Sequence, residues 1–137
     1  MSTKASENFV KVLCQLTHVD VIENVFGKLN TQTVVLTEER AAYISQRHPE
    51  DYALFERFGS QTITEPDFIL CDEKNAHTVL FLRRMEQSNL NTIVRLSIAE
   101  EDASTLSNSV MTFYRVRDKN LKKLILRNKL IYRREKT

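Results

Sequence analysis

The chain has 137 residues, 42% hydrophobic and 28% charged, which suits one soluble domain with one core. Two glycines and two prolines leave no flexible linker, and no apolar run approaches the roughly 20 residues that span a bilayer. The net charge of +2 conceals an uneven distribution: residues 1–114 carry 10 Lys+Arg against 16 Asp+Glu, residues 115–137 carry 10 against 2.

The polar start, Met1 to Asn8, reads as a frayed lead-in without the apolar core of a signal peptide. "FVKVLCQL" fits a strand as well as a short helix, and "VFGKLN" and "TVVL" read as short strands around a turn at Asn30–Thr31. Residues 1–33 are thus an N-terminal extension of undecided structure within the same domain, and residues 34–137 form its main body. Cys14 and Cys71 lack metal-ligand spacing and read as buried thiols in a reducing compartment, so the expected location is cytoplasmic.

At Thr37 the pattern becomes helical. "TEERAAYISQRH" has an N-cap threonine, acids in the first turn and helix formers behind them. Ala41, Ile44 and His48 share a face, flanked by Arg40, Tyr43 and Arg47. Pro49 ends this helix and can begin the next, "PEDYALFERFGSQTI", because proline tolerates a first helical turn and disfavours helix in the residue before it. Arg47 and His48 therefore stand on a corner. Alone, a corner histidine reads as packed rather than presented.

Beyond Pro66 the period becomes two. "DFILCD", "HTVLFLRRM", "NTIVRLSI" and "SVMTFYRV" are separated by the polar turns "EKNA", "EQSNLN" and "AEEDASTLSN". Spacing this short makes an antiparallel meander, since a parallel crossover needs a dozen residues or more. Asp118 is expected to cap a last helix, "KNLKKLILRN", and "KLIY" can add a closing strand. The fold class is α+β, with N-terminal helices packed on a curved sheet of four to five antiparallel strands and a C-terminal basic helix. In "NTIVRLSI", Arg95 interrupts an apolar strand. In "NSVMTFYRV", Thr112 and Tyr114 alternate against Met111, Phe113 and Arg115, and the pattern leaves either face eligible for the core.

No phosphate-binding glycine loop, Cys/His metal spacing or nucleophile elbow is present, so neither a metal nor a cofactor is expected. The basic block after position 114 attracts polyanions such as RNA through phosphate neutralisation, or else serves as a solvated terminal helix.

Taken in order, "VVLTEERAAYISQRHPEDY", "ITEPDFIL", "IVRLSI", "NSVMTFYRV" and "LRNKLIYRRE" resemble the phage-associated branch of the barnase–EndoU–colicin–RelE-like ribonuclease superfamily. The resemblance covers about Val34 to Glu135. It implies helices packed on a curved antiparallel sheet whose open face holds RNA, and a metal-independent endoribonuclease. By motif, Arg47 and His48 match an Arg-His pair, Arg95 a strand arginine, Ser109 and Thr112 a hydroxyl strand, and Tyr132 a terminal tyrosine. These six are the expected catalytic residues. Arg83 and Arg84 sit where relatives carry a basic residue and, with Arg115, Lys122 and Lys123, are the expected RNA contacts. The implied chemistry is attack by the 2′-hydroxyl on phosphorus, leaving a 2′,3′-cyclic phosphate, with His48 transferring protons and arginines gripping the phosphate oxygens. Such a protein would be a toxin or a phage or mobile-element effector. Its expected partners are RNA and a cognate inhibitor protein, with no membrane and no small-molecule cofactor. The alternative is a catalytically silent version of the fold that acts as a binding module.

Overall fold

The alternation of helical and extended patterns resolves, in a computed structural model that describes residues 10–99 and 107–135, into seven strands and four helices. In chain order they are β1 (Val10–Gln15), α1 (Val19–Phe26), β2 (Thr33–Thr37), α2 (Glu38–Arg47), α3 (Pro49–Thr64), β3 (Phe68–Cys71), β4 (Thr78–Arg84), β5 (Asn89–Arg95), β6 (Asn108–Val116), α4 (Asp118–Arg127) and β7 (Lys129–Arg133). The lead-in Met1 to Asn8 and most of the "AEEDASTLSN" turn lie outside the described residues.

Local chemistry sets the helix starts. Thr37 caps α2, its Oγ1 accepting from the Arg40 amide at 3.1 Å, with Glu38 and Glu39 in the first turn. Pro49 occupies the first turn of α3, so His48 is at once the C-cap of α2 and the N-cap of α3. Two expectations change here. "VFGKLN" is not a strand: Phe26 ends α1, Gly27 takes the positive φ of 98° that favours glycine, and Leu29 makes a single bridge to Ile98. Asp118 is the first residue of α4 rather than its cap, which is Arg117, and its Oδ1 accepts from Asn89 Nδ2 at 2.9 Å.

The strands form one sheet in the order β1-β2-β6-β5-β4-β3-β7, wider than the four to five expected. The strands beyond the four-run meander and its expected closing strand are β1 and β2, which pair antiparallel across the α1 connection and tie the N-terminal extension into the sheet; β7 is the closing strand expected from "KLIY", at the far edge. β3 to β6 form the expected antiparallel meander. β2 and β6 are parallel, which the long connection between them permits.

Register separates the two faces. Ile69, Phe81, Thr92 and Phe113 are successive cross-strand partners and face α2 and α3. There Ile44, Phe55 and Ile63 pack on them, with the Phe55 and Phe113 ring centroids 5.2 Å apart. Each such side chain contributes about 1.5–3 kcal/mol when fully buried. The opposite face carries Leu70, Leu80, Ile93 and Thr112 in register. Leu121, Leu124 and Ile125 of α4 cluster with its Phe68, Leu70, Leu80, Leu82 and Val116, with Ile93 and Tyr114 packed against the same cluster. The rest of that face forms the floor of the candidate site.

Candidate functional site

β2 pairs with β6 only at Asn108 and Ser109. Past that point α2 packs against β6, and the Arg40 Nη1 donates to the Met111 carbonyl at 3.4 Å. Met111 is the residue at which the β5–β6 register shifts, a bulge of the kind that re-aims neighbouring side chains. Between α2 and the sheet lies a cleft of about 440 Å³ lined by Arg40, Tyr43, Asp72, Thr78, Arg95 and Thr112. Arg95 is flanked in register by Thr78 on β4 and by Ser109 on β6, which places Ser109 on the same face. The Thr112 Oγ1 is buried and has no hydrogen-bond partner among the described residues. A native buried hydroxyl is normally satisfied, so an unsatisfied one in a cleft wall points toward a ligand. Arg40 and Arg47 both lie against the Tyr43 ring, their Cζ atoms 5.4 and 5.6 Å from its centroid.

His48 closes this arrangement. Its ring centroid is 5.5 Å from that of Tyr114 at 31°, and Tyr114 follows Thr112 by two residues on the same strand. The imidazole and the cleft thus share a face, with Thr112 and Tyr114 about 7 Å apart along β6. Burial is the main cause pushing the Tyr114 phenol above its usual range, and the Asp72 charge adds to it. Tyr114 therefore stays a neutral hydroxyl at physiological pH. Asp72 accepts from the Lys74 and Asn75 amides at 2.8 and 3.3 Å and from Asn75 Nδ2 at 2.9 Å, so its carboxylate is engaged in shaping its own turn.

Among the described residues, Arg40, Arg47 and Arg95 form no ion pair, whereas Arg83, Arg115 and Arg134 do. Within the described residues, the charges of Arg40 and Arg95 in the cleft and of Arg47 beside Tyr43 are therefore not engaged by a carboxylate.

The structure brings His48, Arg47, Arg95, Ser109 and Thr112 to one face and leaves Tyr132 on the other. Tyr132 is the cross-strand partner of Ile69, on the helix side, and its ring centroid lies 4.2 Å from that of His18. The register shift between Ile69 and Leu70 fixes that outcome: Leu130 and Tyr132, both even-numbered, align with neighbouring residues of β3 that face opposite ways. Arg83 is also withdrawn, donating to the Glu65 carbonyl at 2.6 Å and pairing with its carboxylate. Arg115 is held by Asp51 and Glu50 at the start of α3. Arg84 is exposed at the opposite end of β4 from Thr78, roughly 20 Å along the strand from the cleft. Lys122 and Lys123 are exposed on α4 and lie outside the cleft.

Arg40, Tyr43, Asp72 and Tyr114 belong to the site although the motifs do not mark them. Arg40 stands seven residues before Arg47, the spacing that returns to one helix face, and Tyr114 stands two beyond Thr112, the spacing of one strand face. Those two carry a signal. Asp72 carries none, since a turn aspartate is common everywhere.

Among the described residues no group of three or more His, Cys, Asp and Glu side chains is placed to hold a metal, and no helix is long and apolar enough to cross a membrane. No family model matches the chain, and no curated protein or solved structure matches it either.

Proposed function

We propose that the chain is an endoribonuclease whose site is the open face between α2 and α4, in keeping with the ribonuclease superfamily that its motifs resemble. One observation carries the reading: among the described residues Arg40 and Arg95, which form no ion pair, and the Thr112 hydroxyl, which has no hydrogen-bond partner, line one cleft, and the His48 ring lies against Tyr114 two residues along the strand from Thr112, although the sequence separates them widely. A phosphodiester needs such a set, with Arg40 and Arg95 on its non-bridging oxygens and Thr112 donating a further hydrogen bond.

In the proposed reaction the 2′-oxygen bonds to phosphorus as the bond to the 5′-oxygen breaks. His48, as the imidazolium, donates a proton to the departing 5′-oxygen, and the 2′-hydroxyl proton passes to water in the open cleft. The product is a 2′,3′-cyclic phosphate beside a free 5′-hydroxyl. A general acid contributes about 10²–10⁴ in rate, so His48→Ala is expected to slow cleavage by that factor.

A second reading is favoured by one observation: among the described residues no histidine lines the cleft itself, His48 standing beside it through the Tyr114 ring, whereas two-step proton transfer usually employs two groups. A binding module that holds RNA without cutting it would have the same cations. Incubating structured and unstructured RNA with the protein in EDTA, followed by end-group analysis, separates the two. The nuclease reading expects cyclic phosphate ends that diminish with His48→Ala while RNA binding persists. Binding without any new ends would establish the module instead.

A further inference from the structure

The inference rests on the RNA reading and concerns a second depression on the same side of the sheet. About 270 Å³ opens against one flank of α4, lined by Tyr114, Asn120, Lys123, Leu124 and Arg127, with Arg115 at its rim. Leu121, Leu124 and Ile125 anchor α4 to the sheet and so fix which flank faces Tyr114. Lys123 and Arg127 are four residues apart on that flank, where side chains project together. Neither forms an ion pair among the described residues. Arg115 is already held by Asp51 and Glu50, so it adds little free charge. Lys122 is adjacent in sequence, yet it is turned about 100° around the helix and lines no part of the groove.

Tyr114 belongs to both places, touching the His48 ring and forming a wall of the groove. From the Tyr114–Asn91 pair to Arg95 is four residues along β5, about 13 Å, or about four nucleotides at the 3.4 Å spacing of a stacked strand. We infer that the substrate is a single strand that crosses Tyr114, with one phosphate in the Arg40–Arg95 cleft and a flanking phosphate between Lys123 and Arg127. α2 and α4 stand on either side of this floor. A flexible strand can lie between them along a basic track with aromatic contacts, the usual means of single-strand binding. A duplex, recognised by its shape across a wide shallow groove, would meet only the rims.

The test uses fluorescence anisotropy with labelled 2′-O-methyl oligouridines, which cannot be cleaved, at lengths of two and eight nucleotides, and with the octamer annealed into a duplex. The octamer should bind at least about tenfold more tightly than the dinucleotide and than the duplex. The double variant Lys123→Gln/Arg127→Gln should lower octamer affinity about tenfold and reduce its salt slope by about 0.7 for each phosphate no longer neutralised. The same variant should leave dinucleotide affinity unchanged, and Lys122→Gln should change octamer affinity less than about twofold. These side chains are exposed, so a melting curve matching wild type is expected as the folding control. A double variant indistinguishable from Lys122→Gln would overturn the flanking subsite, and a duplex bound as well as the single strand would overturn the strand form. If RNA is cleaved while the double variant binds the octamer normally, the inference fails and the nuclease reading stands. If the wild type neither binds nor cleaves RNA, both fail.

Discussion

At His48 the imidazole is held by its place between two helices and by the ring of Tyr114, 5.5 Å away. That pairing explains how a titratable side chain on a corner comes to face the sheet rather than bulk solvent. Cys14 shows the opposite treatment. It is half-buried on β1, and burial pushes its thiol up to about 11, with the hydroxyl of Ser60 partly opposing. Burial also raises Cys71. Thiolate, not thiol, is the nucleophile, so iodoacetamide at pH 8 should label both cysteines slowly in the native protein and rapidly in denaturant. The sign follows for stability: the folded state keeps the Cys14 proton longer than the unfolded state does, so this contribution is lost as pH rises from about 9 through about 11. Mass spectrometry after timed alkylation measures the first effect, and rapid native labelling of Cys14 at pH 8 would contradict it.

At the scale of elements, the helix starts and the meander are legible in the sequence because each rests on local chemistry. Thr37 with two acids behind it, Pro49 after His48, and alternation beyond Pro66 are signals contained within a few residues. Which face of each strand is open is less legible. Thr112 and Tyr114 alternate with Met111 and Phe113, and both sets contain apolar atoms, so the choice waits on Phe113 packing beneath Phe55. Tyr132 departs from its expected face for a related reason, because a register shift between partner strands cannot be read from one strand alone. Arg115 and Arg83 depart from theirs because Asp51 and Glu65, which engage them, are distant in sequence. The cap at Thr37 gives an element-level test, since α2 carries Arg40 and Tyr43 into the cleft and Arg47 against the Tyr43 ring. Thr37→Ala removes the acceptor of the Arg40 amide and is expected to destabilise the protein by about 0.5–2 kcal/mol. Chemical denaturation should show this as a lower midpoint at unchanged slope, whereas an unchanged midpoint would mean that the cap contributes nothing.

Across the whole molecule, charge is sorted by the sheet. Glu50, Asp51 and Glu65 on and beside α3 engage Arg115 and Arg83 on the helix-covered side. Arg40, Arg47 and Arg95 on one side of the open face, and Lys123 and Arg127 on the other, are left without ion pairs among the described residues. The imbalance between residues 1–114 and 115–137 foreshadows this sorting only in part, because three of these cations come from the acidic portion of the chain. The central claim is that RNA lies on this face and not on the other. Its most direct measurement is a titration of isotope-labelled protein with an uncleavable 2′-O-methyl octanucleotide, following backbone and side-chain resonances. The account predicts shifts concentrated at Arg95, Thr112, Tyr114, His48 and Arg127, with His18, Tyr132 and the α3 residues unmoved. Shifts centred on His18 and Tyr132, or none at millimolar oligonucleotide, would contradict it.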